Sequence, residues 1–263
     1  MDDYILIVTY ILSGLIGLCV GSFLNVVIYR IPNNMNLSKP ASHCPKCDYQ
    51  LHWYDNIPVL SYLMLGGKCR KCKQPISIRY MLVELSNMLL WLLSVYLFWE
   101  NNLVYSIISM IASSLLICIF FIDLDHMLIF NRFSISIFIL GLIAMFYDNY
   151  TTILDHILGS VIGGGLFVLL YFGSIWVLKK EGFGWGDVKL IAASGLLLGW
   201  QKLLFAMLVA SVLGSVILLI IKYSKNNDSD KEYPFAPFIV IGIMISMFIG
   251  TEVIQWYTKL LLG

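Results

Sequence analysis

Charge is scarce in this sequence: 13% of its 263 residues are Asp, Glu, Lys or Arg, about half the share usual in a soluble domain. That scarcity excludes a soluble enzyme and a disordered chain. Six cysteines in a chain this long do not make a disulfide-stapled secreted mini-protein. A net charge of +1 gives no sign of a polyanionic partner, so no nucleic acid is expected. A basic region before the first apolar run is also missing, for Asp2 and Asp3 precede it, and the run is too long for a cleaved signal peptide. No internal repeat is found.

What fills the space is hydrocarbon. Apolar residues make up 59% of the chain, the mean hydropathy is +0.84, and the apolar residues come in long blocks. The sequence therefore reads as an all-α polytopic membrane protein. Tyr4 to Tyr29 is free of charge and longer than the roughly 20 residues a helix needs to cross the bilayer core. Further spans are predicted at about 81–99, 103–122, 133–147, 152–178, 188–200, 203–221 and 236–258, which makes about eight transmembrane helices. Those at 133–147 and 188–200 are short enough to be tilted, re-entrant or sheltered by neighbours. The domains expected are a first transmembrane helix (1–29), a cytoplasmic zinc-binding module (30–80) between helices 1 and 2, so read from its four cysteines, and a transmembrane domain (81–263).

Lysine and arginine set the orientation. Segment 30–80 holds Arg30, Lys39, Lys46, Lys68, Arg70, Lys71, Lys73 and Arg79. Placing it in the cytoplasm also puts Arg132, Lys179, Lys180, Lys189, Lys222, Lys225 and Lys231 there, and leaves only Lys202 and Lys259 outside. Both termini are then external. Segments 123–132 and 179–187 reach the cytoplasm with aspartates, and 222–235 is a solvated connector.

Cys44-Pro-Lys-Cys47 and Cys69-Arg-Lys-Cys72 are two CxxC turns separated by 21 residues, close to the spacing of about 15–20 found in tetra-cysteine zinc sites. Each turn aims two thiolates at one centre, and together they complete a tetrahedral shell. Cytoplasmic thiols stay reduced, which argues against disulfides. Cys19 and Cys118 lie in spans as packing residues.

Ionisable residues at membrane depth are costly and mark function. The candidates are Glu84, Asp123, Asp125, His126, Asp187 and Glu252, with Asp155 and His156 at an outer helix end. Asp123 follows an apolar run. Asp187 closes Gly184-Trp185-Gly186-Asp187 before a short helix, and glycines at 182, 184 and 186 allow close backbone approach. Asp187 could equally be the N-cap of helix 188–200. As a pair, the two aspartates suit a proton-sharing acid/base dyad or a cation site in an ion-coupled transporter with an accessory zinc domain. A zinc-stapled scaffold without chemistry is a third reading. Gly17/Gly21, Gly159/Gly163 and Gly195/Gly199 are read as helix-packing faces, Asn25 as a cross-helix hydrogen bond, and none of the four histidines as a metal ligand.

Gly21-Ser-Phe-Leu-Asn-Val-Val-Ile-Tyr-Arg-Ile-Pro32, both CxxC pairs, Trp53-Tyr-Asp-Asn-Ile-Pro-Val-Leu-Ser-Tyr62 and Ile78-Arg-Tyr80…Glu84 resemble the N-terminal module of bacterial prepilin peptidases. Ile122-Asp-Leu-Asp-His126 and Gly184-Trp-Gly-Asp187 resemble their two aspartate motifs, the second being the GxGD signature shared with presenilin-type intramembrane proteases. One departure is Ile129-Phe130-Asn131, where the family often has a proline after the aliphatic residue. No recognised motif follows residue 200.

The resemblance implies a bifunctional enzyme of the bacterial inner membrane, with its active site facing the cytoplasm. It would remove the basic leader of type IV prepilins and pseudopilins after a glycine. It would then methylate the new N-terminal amine from S-adenosylmethionine. It assigns Asp123 and Asp187 to cleavage and Cys44, Cys47, Cys69 and Cys72 to structural zinc. Gly67, Lys68 and Glu84 are its candidates on the S-adenosylmethionine side, where no glycine-rich nucleotide fingerprint is present. Asp125 remains an alternative to Asp123. Ile129, six positions beyond Asp123, is in the family's register with Asp123.

The charge distribution makes the topology testable. Cysteines introduced at Ser38 and at Asn149 are expected to react oppositely with an impermeant thiol reagent on intact cells. Position 149 should label and position 38 should not.

Overall fold

The computed structural model describes residues 3–179, 184–224 and 233–262. Lys180, Gly182 and most of the 222–235 connector, including Lys225 and Lys231, lie outside these. Among the described residues the regular structure is helical apart from two isolated antiparallel bridges. The helices are α1 (Asp3–Arg30), α2 (Leu60–Met64), α3 (Arg79–Phe98), α4 (Leu103–His126), α5 (Asn131–Tyr147), α6 (Ile153–Leu178), α7 (Trp185–Leu198), α8 (Trp200–Ser224) and α9 (Ala236–Leu262). A 3₁₀ turn covers Trp53–Asn56.

Each of the eight expected spans corresponds to a helix. Among the described residues six are long and apolar enough to cross a membrane: α1, α3, α4, α6, α8 and α9. The two that fall short are α5, with 17 residues, and α7, with 14. Their outer faces are apolar, as in Ile11 on α1, Leu169 on α6 and Leu208 on α8, all exposed. Bilayer-facing surface has this character, because lipid tails are as apolar as leucine.

The chain forms two compact units, Met1–Ser106 and Ile107–Gly263. In the first, α1 and α3 run antiparallel with backbones in close approach. Gly14 meets Leu92, Gly17 meets Met88 and Trp91, and Gly21 meets Glu84. A Cβ at Gly21 would stand 2.7 Å from the Glu84 Cα, so the small-residue face is a steric requirement. Polar bonds across the pair are worth having where water is scarce: Asn87 Nδ2 donates to the Gly17 carbonyl at 2.7 Å and Asn25 Nδ2 to the Tyr80 carbonyl at 3.0 Å. Arg30 ends α1 buried, its guanidinium donating to the carbonyls of Asn36, Leu37 and Pro40.

In the second unit α7 is the centre. It packs on α5, α6, α8 and α9, and ten of its fourteen residues are buried. A helix so enclosed need not span the bilayer itself, because its neighbours shield its ends from lipid. Glycines set the closeness: Gly159 of α6 lies against Gly195 of α7, Gly141 of α5 against Leu196 and Leu197, and Gly242 of α9 against Ala206 of α8.

The C-terminal end of α7 is held by a buried polar cluster. His156, with no exposed surface, donates from Nδ1 to the Leu196 carbonyl at 2.8 Å, one of the helix's orphan acceptors. Its Nε2 then accepts from the Thr151 hydroxyl at 2.7 Å. Lys202 Nζ lies 3.0 Å from Asp148 Oδ2, both side chains almost fully buried. Lys202, a basic residue the sequence places externally, is thus an internal ion-pair partner, and positive-inside counting does not apply to it in the usual way.

The α6–α7 contact yields a paired expectation. A Cβ at Gly195 would stand 2.5 Å from the Gly159 carbonyl carbon, whereas one at Gly165 meets nothing within 4 Å. Gly195→Ala is expected to cost about 1–3 kcal/mol through overpacking, read as a lower thermal midpoint in detergent. Gly165→Ala should leave the midpoint unchanged.

Candidate active site and metal centre

The two CxxC segments fold into the same turn. In each, the first cysteine's carbonyl accepts from the residue four positions on, Asp48 at 2.9 Å and Lys73 at 3.0 Å. Each of these residues has a positive φ, 52° and 60°. Each first cysteine's N–H then donates one residue further, Cys44 to Tyr49 and Cys69 to Gln74, both at 2.9 Å. The bridges His43–Gln50 and Lys68–Pro75 close the two turns in equal register.

These turns gather the four sulfurs within 4.8 Å of one another. Cys44 Sγ to Cys72 Sγ is 3.9 Å and Cys47 Sγ to Cys69 Sγ is 4.0 Å. A tetrahedron with zinc–sulfur bonds of about 2.3 Å has edges of about 3.8 Å, so the donor set fits that ion. The Cys72 N–H, with that of Lys71, bonds the Cys69 sulfur and draws its thiol down to about 6, which favours the ligating thiolate.

Asp55 braces this module. Its buried carboxylate takes Arg70 Nε at 2.7 Å, the His52 N–H at 3.3 Å and the Tyr49 hydroxyl at 3.4 Å. Burial raises its pKa, but Arg70 and the His52 N–H outweigh this and hold it below the usual carboxylate value. Arg70 also stacks over Tyr54. Sequence reasoning missed Asp55 as a tie, although it lies inside the 53–62 motif.

Of the methyl-donor candidates, Gly67 and Lys68 sit on the turn leading into Cys69. Gly66 and Gly67 both have positive φ, and a Cβ at Gly66 would meet nothing within 4 Å. Glu84 is buried on α3 and accepts from the Val59 N–H at 2.8 Å and from Ser22. Val59 is held at φ 60°, ψ −50°, a conformation a β-branched residue avoids. Among the described residues no hydrogen bond or ion pair joins Gly67 or Lys68 to Glu84.

Both aspartates lie in the second unit. Asp123 lies on the last turn of α4 rather than in a loop, and is buried, whereas Asp125 and His126 on the same turn are exposed. Asp187 is also buried, but the helix begins earlier than the sequence suggests. Gly184 is the N-cap, and Asp187 occupies the third helical position, where its Oδ2 accepts from the Gly184 N–H at 3.2 Å. The capping role weighed for Asp187 is therefore present in a different form, turned back onto Gly184. Asp123 is close enough for its charge to act directly on the Asp187 carboxyl.

Gly186 explains how the motifs meet. A Cβ there would stand 2.9 Å from the Ile129 Cβ, so only a glycine lets the segment after Asp123 lie on the start of α7. Sequence reasoning also missed Ala236. Its backbone N–H, at the first turn of α9, bears on the Asp123 carboxyl. The prolines at 234 and 237 were the available signal, since proline favours the start of a helix. The remaining candidates do not join the site. Glu252 is exposed, Asp155 caps α6 through Thr152 and accepts from Trp200, and His156 belongs to the cluster at the other end of α7.

Comparison with known proteins finds relatives for both halves of the chain. Residues 15–98 match the bacterial peptidase A24 N-terminal domain, and residues 110–219 match the type IV leader peptidase family. A prepilin leader peptidase/N-methyltransferase of Pseudomonas aeruginosa is 34% identical over 273 residues, covering 93% of this chain and 92% of that protein. One from Legionella pneumophila is 34% identical with 94% of each chain covered. One from Myxococcus xanthus is 39% identical over 203 residues, covering 77% of this chain and 60% of that protein. No solved structure matches. With both halves matched and the Pseudomonas and Legionella relatives aligned almost end to end, the chain belongs to the type IV leader peptidase family.

Proposed function

We propose that this protein is a membrane aspartic endopeptidase that removes the leader of type IV prepilins and pseudopilins and N-methylates the residue exposed. Family membership supports both activities and leaves the ion-coupled transporter without support. The observation that carries the cleavage assignment is the pairing of Asp123 and Asp187, two buried carboxyls within reach of each other's charge.

Two carboxylates so placed do not both ionise easily, so the pair shares a proton. The ionised member takes a proton from water as it attacks the scissile carbonyl. The protonated member donates to the carbonyl oxygen. The proton taken from water is then passed to the leaving amine, and the proton on the tetrahedral oxygen returns to the dyad as the carbonyl re-forms. No serine or cysteine nucleophile is needed. A prepilin is an apolar helix with a basic leader, and its scissile bond, after a glycine, falls at the membrane edge. The end of α4 and the start of α7 suit that depth, at the cytoplasmic face of an eight-span protein of the bacterial inner membrane. In this reading α5 and α7 count as spans, segment 30–80 is the cytoplasmic module between α1 and α3, and 81–263 carries the peptidase.

Cys44, Cys47, Cys69 and Cys72 would hold a zinc ion in a closed shell, which supplies folding energy rather than hydrolysis. S-adenosylmethionine would supply the methyl group. Gly67, packed against Tyr62, and the exposed Lys68 on the turn before Cys69 are the candidates on this side, with Glu84, which accepts from the Val59 N–H, as the third.

Two experiments test this reading. Asp123→Asn and Asp187→Asn are expected to lower prepilin cleavage by at least about 100-fold, while Asp125→Asn retains activity, scored by mass spectrometry of the product. Normal cleavage by all three variants overturns the aspartyl mechanism. Metal analysis of the reduced protein should give about one zinc per chain, absent in Cys69→Ser/Cys72→Ser. Loss of the metal should speed proteolysis within segment 30–80.

A further inference from the structure

The segment that joins α4 to α5 is held to α7 at two points. Helix α4 closes on Met127, whose N–H donates to the Asp123 carbonyl at 2.9 Å and whose φ is 52°. Glycine or asparagine usually fills such a left-handed closing position, so a methionine there is held by its surroundings. Two residues on, Ile129 lies against Gly186: a Cβ at 186 would stand 2.9 Å from the Ile129 Cβ. Two residues further, Asn131 begins α5, and its Oδ1 accepts from Lys189 Nζ at 2.8 Å. The contacts run in step, 129 with 186 and 131 with 189, so the segment is laid along the start of α7.

Neither helix needs the Lys189–Asn131 bond for itself. Lys189 lies near the N-terminal ends of α5 and α7, where the helix dipoles disfavour a cation. It does not cap α5, whose N-cap is Phe130. Tying down a long lysine side chain also costs rotamer entropy. What the bond supplies is a link between two helices at the end that carries Asp187. The next close approach of α5 to α7 is Gly141 against Leu196 and Leu197. That point is ten residues along α5, about 15 Å away, too far to fix where α5 begins. At the aspartate end the segment is therefore held by the Ile129–Gly186 contact and by Lys189.

We propose that Lys189 is a positioning residue of the peptidase: its bond to Asn131 holds the segment after Asp123 on the start of α7 and so sets Asp123 in register with Asp187. The assignment rests on the reading of these aspartates as the cleaving pair. Lys189 follows Asp187 by two residues, which on a helix directs the two side chains to nearly opposite faces. Asp187 is accordingly buried and Lys189 half-buried. Lys189 thus acts through the segment and not on the carboxyls. Asp123 precedes Ile129 by six residues and Asp187 directly follows Gly186, so a slip of the segment along α7 moves one aspartate relative to the other. Small displacements of reacting groups are costly in rate. Met127, strained and directly before the held stretch, is where the segment would relax once the bond is lost.

The test breaks the bond from either side and then restores it. Lys189→Met removes the donor and Asn131→Leu the acceptor, each with little change of shape. Lys189→Arg and Asn131→Asp keep a donor and an acceptor. Lys222→Met, at the exposed end of α8, controls for the loss of a lysine charge. Full-length protein in nanodiscs cleaves a synthetic prepilin segment (basic leader, glycine, apolar helix), followed as kcat and KM. The expected result is a fall in kcat of about 10-fold for Lys189→Met and for Asn131→Leu, the scale of one hydrogen bond to a charged group. The double variant should also fall by about 10-fold and not by about 100-fold, because the same bond is lost once. Lys189→Arg and Asn131→Asp should stay within about threefold of the unaltered protein, since each keeps a charge-assisted bond. KM should hold within about twofold throughout, and Lys222→Met should cleave normally. Additive losses in the double variant, normal kcat in Asn131→Leu, no rescue by either conservative variant, or a loss carried by KM alone overturns the proposal. If Lys189→Met does not insert, Asn131→Leu and Asn131→Asp decide: both normal or both impaired overturns it. Asp123→Asn made in parallel separates the two claims. If it is inactive and Asn131→Leu is normal, only the role of Lys189 falls; if it is active, the aspartate assignment falls and the role of Lys189 with it.

Discussion

The second unit depends on the enclosure of one short helix. At 14 residues α7 cannot satisfy a bilayer alone, and an unpaired backbone group in hydrocarbon costs several kcal/mol (roughly, for amides). Enclosure by α5, α6, α8 and α9 removes that cost and makes the neighbours' positions matter to α7. Glycines at 141, 159 and 195 bring the backbones close enough that the fit allows little axial play. At one end the imidazole of His156 satisfies the Leu196 carbonyl. At the other end Asp187 lies buried in the first turn. Burying two carboxyls is expensive, and the enclosing packing stabilises the arrangement against it.

The two aspartate motifs behave as one construction. Gly186 makes room for Ile129, so the chain leaving α4 rests on the start of α7. The Asp187 carboxylate is then met by the Gly184 N–H, and the Ala236 N–H bears on Asp123. Backbone donors carry no ionisation of their own and lose little entropy on use, which suits a site that must hold its geometry through a proton transfer. The departure from the family at Ile129-Phe130-Asn131 does not disturb this, because the contact needs the aliphatic side chain and not a proline.

The cysteine module follows a separate logic. It has little apolar core of its own, as exposed Trp53, Leu60 and Met64 attest, and its order comes from two equivalent turns and the Asp55–Arg70 tie. Small folds of this kind need a staple, and four sulfurs at tetrahedral spacing can provide one. The strained Val59, tied to Glu84, is where the segment before α2 pays for its attachment to α3.

Local rules were enough to read most of the elements. Long charge-free runs located the helices, and the weakness of 133–147 and 188–200 reappears as the two helices too short to cross a membrane unaided. CxxC spacing alone named the four sulfurs that come together, because a tight turn fixes both cysteines within a few residues. Asp123 and Asp187 stood out because charge beside hydrocarbon is costly whatever the fold. Beyond that, periodicity and charge counting have no purchase. Lys202 counts as an external lysine in sequence and is an internal ion-pair partner in space. Glu84 carried no sign of Val59, nor Gly186 of Ile129, nor Asp123 of Ala236, more than one hundred residues away. The sequence by itself determined which segments are helices, which cysteines come together and which carboxyls lie at the apolar boundary, since each follows from local composition. Only the tertiary structure decided which helix is central, where Asp187 sits in its first turn and which backbone donors face the pair, since these depend on contacts between segments far apart in the chain.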